Sequence, residues 1–146
     1  MTTIAYSKGI IATDSRLSEH YTICSDSYEK MVKIGHYKFF FSGDPANITQ
    51  FADRFVNGCS AKDNIPLGIH AFVFDSKDRE LWEAASRKGE PMYRFKLNLL
   101  EHWAIGSGGD WAVAAMDFGC TAQEAVKYAM TRDCRSGGKI RTYKLF

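Results

Sequence analysis

Residues 2–16 read "TTIAYSKGIIATDSR", a stretch with the pattern of two short strands joined by a turn. Two short runs, 3–7 and 10–13, are rich in apolar and β-branched residues, which is typical of strands. Between them stands Lys8-Gly9, and a two-residue turn that ends in glycine is typical of a hairpin. The sequence therefore predicts that the chain begins with a β-hairpin, with Thr2 at the start of its first strand.

Thr2 also follows Met1 directly. A small residue in this position favours removal of the initiator methionine, and we expect Met1 to be removed. Thr2 would then carry a hydroxyl and a free α-amine on one residue, which can serve as nucleophile and base. The alternative that these residues leave open is that Thr2 merely follows a start codon.

Further strands are predicted along the chain from runs of β-branched and aromatic residues. Their predicted ranges are 21–25, 31–35, 38–43, 67–75, 80–86, 92–97, 102–108 and 138–146. A turn at residues 35–37 joins two of them.

The first of three predicted helices covers residues 44–57, with Asp44 as N-cap and Pro45 at the first helical position. Apolar residues recur there with helical spacing. The resulting stripe is Ile48, Phe51, Ala52, Phe55 and Val56.

The other two helices are predicted over residues 108–119 and 121–133. In the later one, Thr121 and Glu124 form a capping-box pattern. Each helix has a predicted apolar face. These faces consist of Trp111, Ala114, Ala115 and Phe118 in the earlier helix, and of Ala122, Ala125, Val126, Ala129 and Met130 in the later one.

The order of these elements predicts the fold class. Strands and helices do not alternate regularly, so a parallel doubly wound sheet is disfavoured, and an α+β fold with helices packed outside antiparallel sheets is expected. No repeat or low-complexity linker divides the chain. We therefore predict a single domain over residues 1–146.

Composition excludes several classes of function. The 19 basic and 17 acidic residues give a net charge of +2, which is too small to indicate nucleic acid or an acidic membrane as a partner. The apolar runs are too short to span a bilayer, and Lys8 and Asp14 interrupt any signal-peptide pattern. Neither the four cysteines nor the four histidines have metal-ligand spacing. We expect a cytoplasmic protein with no metal and no cofactor.

Three further positions suggest chemistry. Asp14 follows a strand, Lys30 precedes one, and Gly43 ends one at a point where a glycine backbone can approach a ligand closely. Each position has a structural alternative. Asp14 could be a turn residue, and Lys30 could be a solvated charge like its neighbours.

Six segments of the chain, taken in order, resemble one family. They are "TTIAY" (2–6), "IIATDSR" (10–16), "EKMVKI" (29–34), "FFFSGD" (39–44), "AIGSGGDWA" (104–112) and "RDCRSGGKIRTYKL" (132–145). The pattern resembles the proteasome β-subunit and HslV-type threonine peptidases of the N-terminal-nucleophile hydrolase superfamily. The resemblance implies a four-layer αββα sandwich of two antiparallel sheets flanked by helices. One helix follows the glycine turn where the family has two, so the helical layer is expected to be shortened.

The resemblance also implies catalytic roles. Thr2 Oγ would attack the scissile carbonyl, and its own α-amine would accept the proton. Lys30 would keep a positive charge beside that amine, with Asp14 orienting Lys30, while the N–H of Gly43 would donate to the oxyanion.

Three more residues match those that position the terminal amine and a water molecule. They are Ser107, Asp133 and Ser136. Their alternatives stay open. Ser107 could be the N-cap of the following helix, Asp133 a helix C-terminal residue, and Ser136 part of a plain loop.

Leu17, Tyr28 and Phe41 stand where the family has a substrate side-chain pocket. Bulky side chains there would favour small or apolar residues in a peptide or unfolded protein. The resemblance further implies a homo-oligomeric ring that is served by an ATP-dependent unfoldase or acts on short peptides. Two other functions are open. One is a non-catalytic scaffold or binding protein that retains Met1, and the other is a small-molecule amidase of the same superfamily.

Overall fold

The computed structural model describes residues 2–58 and 65–146. Met1, whose removal is predicted, and most of the loop predicted after the first helix lie outside the described residues. Contacts divide the chain into two compact units, one of Met1–Lys30 with Asn98–Phe146 and one of Met31–Leu97. The single domain stays a prediction. No helix within the described ranges has the length and apolar character needed to cross a membrane.

The described residues form eleven strands and three α-helices. The strands are β1 (Ile4–Ser7), β2 (Ile10–Thr13), β3 (Leu17–Glu19), β4 (Thr22–Ser25), β5 (Met31–Ile34), β6 (Tyr37–Gly43), β7 (Ile69–Asp75), β8 (Glu80–Ser86), β9 (Tyr93–Lys96), β10 (Trp103–Ile105) and β11 (Arg141–Lys144). The helices are α1 (Ile48–Asn57), α2 (Gly109–Asp117) and α3 (Ala122–Met130). An α+β fold with antiparallel sheets is confirmed, and only β3 lacks a sequence prediction.

The first unit contains a four-stranded antiparallel sheet with the strand order β10-β1-β2-β11. The predicted hairpin of β1 and β2 is confirmed, with Ile4 paired to Thr13. Its turn residues Lys8 and Gly9 have φ angles of 49° and 80°. Positive φ at both central residues is what a type I′ hairpin turn requires. Thr2 was predicted at the start of the first strand, but β1 begins at Ile4, so Thr2 lies two residues before it, while Asp14 directly follows β2.

Helices α2 and α3 pack on one face of this sheet through a core of small side chains. The core consists of Ala5, Ala12, Ala112, Ala115, Met116, Ala122, Ala125, Val126 and Ala129. The predicted capping box is confirmed, since Thr121 and Glu124 satisfy each other's backbone N–H groups. The predicted apolar face of α3 is also confirmed, with Met130 only partly buried.

The predicted apolar face of α2 is wrong for three of its four residues. Ala115 is buried, but Trp111 is 39% exposed, Phe118 is 93% exposed and Ala114 is exposed. The buried face instead contains Ala112 and Met116 beside Ala115. Because α2 has apolar residues on several sides, periodicity does not determine its orientation. An alanine-lined sheet accepts the small side chains and leaves no room for the two large rings.

The second unit contains a five-stranded antiparallel sheet in the sequential order β5-β6-β7-β8-β9. Aromatic rings of α1 pack against the sheet. The Phe55 ring lies 5.8 Å from Phe39 and 5.7 Å from Tyr37, in both cases edge to face, a favourable arrangement of two rings. Arg94 lies over Phe55, 5.0 Å from the ring centroid.

The start of α1 differs from the prediction. Asp44 caps a short 3₁₀ turn, Pro45–Asn47, and the α-helix begins only at Ile48. Val56 was predicted to be buried but is 45% exposed, whereas Arg54 is buried. The Arg54 guanidinium donates to the carbonyl of Ile65 at 2.7 Å, which gives one of its N–H groups a partner.

Candidate active site

Thr2 lies in the first unit with its side chain and backbone both engaged. Its hydroxyl oxygen Oγ1 is 2.5 Å from Nζ of Lys30. Its backbone N–H donates to Oγ of Ser107 at 3.1 Å, and its carbonyl accepts from the N–H of Gly108 at 3.2 Å. The residue is therefore held at both ends of its backbone with the hydroxyl directed at an amine.

Lys30 is buried, with 3% of its surface exposed. Its Nζ lies 2.8 Å from Oδ1 of Asp14. Burial lowers the pKa of Lys30 below its ordinary value, and the Asp14 carboxylate opposes that shift. The alternative that Lys30 is a solvated charge is therefore wrong.

Asp14 is fully buried and its carboxylate accepts four hydrogen bonds. Oδ1 accepts from Lys30 and from the N–H of Thr3 at 3.0 Å. Oδ2 accepts from the N–H of Gly137 at 3.0 Å and from the N–H of Arg16 at 3.3 Å. A turn residue facing water would not make these contacts. The carboxylate joins the start of β1, the end of β2 and the loop after α3.

That loop contributes Asp133 and Ser136. Oδ2 of Asp133 accepts from the hydroxyls of Ser107 and Ser136, each at 2.6 Å, and Ser136 Oγ lies 2.7 Å from Oγ1 of Thr3. Burial raises the pKa of Asp133, but hydrogen bonds from the two serines and the N–H of Arg135 outweigh burial. The pKa of Asp133 therefore lies below its ordinary value. Ser136 is buried rather than part of a plain exposed loop.

Two of the three glycines of the "GSGG" segment, Gly106 and Gly108, are explained by close approach. A Cβ at Gly106 would overlap the backbone carbonyl of Thr2, and a Cβ at Gly108 would overlap the Thr3 hydroxyl. Gly108, and not Ser107, is the N-cap of α2, so the alternative role for Ser107 as N-cap is wrong. Its hydroxyl is used by Thr2 and Asp133 instead.

The structure thus brings together six of the seven predicted catalytic residues within the first unit. We refer to Thr2, Asp14, Lys30, Ser107, Asp133 and Ser136 as the Thr2 cluster. Their catalytic roles stay predictions.

The seventh residue, Gly43, lies at the end of β6 in the second unit. It has a φ of 122°, and a Cβ there would overlap the carbonyl of Gly68, so only glycine fits. Phe41 belongs to the same strand and is 4% exposed, whereas Leu17 and Tyr28 in the first unit are partly exposed. The substrate pocket and the oxyanion role stay predictions.

Three residues that contact the cluster were not singled out from the sequence. Thr3 contacts Asp14 and Ser136, Gly137 donates to Asp14, and Arg16 contacts both Asp14 and the loop after α3. Two features of the sequence could have indicated them. One is the charged residue Arg16, two positions after Asp14, and the other is the second glycine-serine segment, residues 136–138. Each of the three nevertheless has a partner more than 100 residues away, beyond the reach of local patterns.

Chemically, the arrangement provides a hydroxyl beside a buried amine, with a carboxylate fixing that amine. This combination suits a threonine nucleophile. Within residues 2–58 and 65–146, no three His, Cys, Asp or Glu side chains are grouped as metal ligands would be.

Comparison with solved structures identifies the class of fold. The chain is similar to Thiobacillus denitrificans BPH, with a TM-score of 0.68 and 16% identity over 97% of this chain and 95% of that one. The structure of the same protein in complex with epoxomicin gives a TM-score of 0.69 at 16% identity, covering 97% of this chain and 96% of that one.

Eukaryotic HslV from Trypanosoma brucei is similar at a TM-score of 0.67 and 16% identity, over 97% of each chain. No protein-family model and no curated protein matches the sequence. The predicted resemblance to HslV-type structures is therefore confirmed at the level of the fold.

Proposed function

We propose that this protein is a threonine-type endopeptidase in which Thr2 is the nucleophile after removal of Met1. The observation that carries the proposal is the contact of Thr2 Oγ1 with Lys30 Nζ, 2.5 Å apart. A threonine hydroxyl two residues before β1 has no structural need for a buried ammonium, whereas a nucleophile gains from a charged donor at the oxygen that develops negative charge.

The base in this proposal is the α-amine of Thr2. Its reference pKa of about 7.7–8.0 lies much closer to neutrality than that of an ordinary lysine. A positive charge on Lys30 favours the neutral form of that amine. The nitrogen of Thr2 lies 3.1 Å from Ser107 Oγ, and Ser107 and Asp133 would orient it and a water molecule for hydrolysis of the acyl-enzyme.

The remaining parts of the proposal rest on the HslV-like fold. In a four-layer sandwich, the N–H of Gly43 would donate to the oxyanion, a contact whose loss typically costs about 2.7–4 kcal/mol of transition-state stabilisation. Leu17, Tyr28 and Phe41 would form the side-chain pocket. We propose a homo-oligomeric ring in the cytoplasm, since enclosure protects the cell from an exposed nucleophile. The ring would be served by an ATP-dependent unfoldase or would act on short peptides.

Intact mass spectrometry and a peptide-hydrolysis assay test the proposal together. We expect the protein from a low-expression strain to lack the mass of one methionine residue. We expect Thr2→Ala to lose at least about 10⁴-fold in kcat and Thr2→Ser to retain part of it. Thr22→Ala, at an exposed threonine of β4, is the matched control and should match the wild type.

Two other outcomes identify the rival functions. Retained Met1, with Thr2→Ala and wild type equally inactive, would contradict the peptidase and favour a non-catalytic scaffold. Hydrolysis of non-peptide amides that depends on Thr2, without cleavage of peptide reporters, would identify a small-molecule amidase.

A further inference from the structure

Arg16 forms an unusual bridge beside the Thr2 cluster. Its Nε and Nη2 donate to the two carboxylate oxygens of Asp26 at 2.8 and 3.2 Å. Its third nitrogen, Nη1, donates to the carbonyl of Cys134 at 3.1 Å. One planar fork therefore joins two separate segments, a geometry that a lysine cannot reproduce.

The Asp26 side of the bridge leads to Lys30. Residues 26–30 form a short segment that ends at the buried amine. Its backbone is tied down where the N–H of Lys139 donates to the Asp26 carbonyl at 3.2 Å, and where the N–H of Tyr28 donates to the Ser15 carbonyl at 3.0 Å. Because Lys30 follows Asp26 by only four positions, a shift of Asp26 would move the amine relative to Thr2.

The Cys134 side of the bridge leads to the other half of the cluster. Cys134 lies between Asp133 and Ser136, and the guanidinium covers Gly137, where a Cβ would come within 2.6 Å of Arg16 Nε. The N–H of Gly137 in turn donates to Asp14. A side chain at residue 137 would therefore displace the guanidinium from this backbone.

We infer that Arg16 is a positioning residue that holds the Lys30 segment and the Asp133–Ser136 loop at a fixed separation on either side of Thr2. The inference rests on the proposed peptidase function for its catalytic consequence. Arg16 itself touches no reacting atom and acts through the groups that do.

The competing view is that Arg16–Asp26 is an ordinary surface ion pair, which would contribute little. The chain offers a matched control. Arg87 Nε also donates to a carboxylate, that of Glu90, at 2.8 Å, but no residue of the Thr2 cluster adjoins this pair along the chain. If the loss of any arginine–carboxylate ion pair had the same effect, substitutions of Arg16 and of Arg87 would give equal results.

The activity test compares Arg16→Ala and Arg16→Lys with Arg87→Ala and Arg87→Lys in peptide hydrolysis. We expect both Arg16 variants to lose about 10- to 100-fold in kcat with little change in KM, since misplacement by about 1 Å can cost 10²-fold. Added guanidinium should restore part of the activity of Arg16→Ala and none of that of Arg16→Lys. The Arg87 variants should match the wild type.

Amide hydrogen exchange gives a readout that needs no activity. In Arg16→Ala, the amides of Gly137 and Lys139 should exchange at least about tenfold faster than in the wild type, because both are anchored beside the guanidinium. Arg87→Ala should leave them unchanged. Circular dichroism confirms that each variant is folded.

The activity and exchange measurements distinguish a failure of the positioning role of Arg16 from a failure of the proposed peptidase function. If wild type is active and Arg16→Ala matches Arg87→Ala in kcat and in exchange, the positioning role is overturned while the peptidase stands. If wild type and Thr2→Ala are equally inactive, the peptidase fails, and exchange at Gly137 and Lys139 alone decides whether Arg16 holds the loop.

Discussion

Lys30 and Asp14 form an ion pair, 2.8 Å from Nζ to Oδ1, in which the two side chains are 4% and 0% exposed. Two opposite charges at this depth stabilise each other only because the remaining carboxylate lone pairs are also satisfied. Asp14 meets that condition through three backbone N–H groups. Removing one partner of such a pair leaves a buried charge without compensation.

Asp14→Asn and Lys30→Met should each lower the free energy of unfolding by about 3–5 kcal/mol, for the reason just given. The double variant should lose less than the sum of the two single losses, because it leaves no isolated charge. Urea denaturation at neutral pH measures all three. Glu90→Gln breaks the half-exposed pair with Arg87 and should cost less than about 1 kcal/mol. An Asp14→Asn loss no larger than that of Glu90→Gln would contradict the buried pair.

Asp133 should make the stability of the protein depend on pH on the acid side. Because hydrogen bonds hold its pKa below the ordinary value, the folded state favours the ionised carboxylate. Its stabilisation is therefore present above the ordinary aspartate pKa of about 3.9 and is lost as the pH falls through the folded value.

The measurement is the difference in unfolding free energy between wild type and Asp133→Asn at pH 7, 5 and 3. The difference should be largest at pH 7 and should shrink at pH 3. Asp78→Asn, at an exposed turn residue, is the control and should show little difference at any pH. A difference for Asp133→Asn that is constant from pH 7 to pH 3 would rule out this linkage.

The sequence predicts elements whose cause is local. The hairpin turn at Lys8-Gly9 and the capping box of Thr121 and Glu124 depend only on residues within a few positions of one another. Which face of a helix is buried does not depend on local residues alone. The buried face of α2 depends on the alanines of β1 and β2, which lie about 100 residues away in the chain and leave no trace in the helix's own periodicity.

In the candidate site, too, some features could be predicted from the sequence and others could not. Thr2, Asp14 and Lys30 could be identified because six ordered segments resemble one family. The contacts that hold them could not. The bond between Thr3 Oγ1 and Ser136 Oγ joins residues 133 positions apart, and the reach of Arg16 to Cys134 spans 118. Such pairings follow from the sheet order and not from any local pattern.

Gly108→Ala should disturb the Thr2 cluster, whereas Gly109→Ala should not. A Cβ at Gly108 would overlap the Thr3 hydroxyl and lie 3.2 Å from the Ala129 side chain, whereas one at Gly109 would make ordinary 3.5 Å contacts with Ala104. We expect Gly108→Ala to cost about 1–3 kcal/mol of stability, as overpacking does. Gly109→Ala should stay within about 0.5 kcal/mol of the wild type.

Thermal and urea denaturation measure the two stabilities, and the peptide assay measures kcat. Gly108→Ala should also lower kcat, because the displaced Thr3 hydroxyl is the partner of Ser136. Equal stability and equal kcat in the two alanine variants would mean that Thr3 can move aside at no cost, contrary to the overlap expected for a Cβ at Gly108.

The orientation of α2 can be tested by one enlarged side chain on each face. Ala112 is fully buried in the alanine core, whereas Ala114, two residues later, is exposed. Ala112→Leu forces extra carbon atoms into a filled space and should cost about 1–3 kcal/mol. Ala114→Leu places the same atoms in solvent and should change stability by less than about 0.5 kcal/mol. Urea denaturation of the two variants is the measurement. A larger loss of stability for Ala114→Leu than for Ala112→Leu would contradict this orientation. It would indicate that the face with Ala114, Trp111 and Phe118 is the buried one.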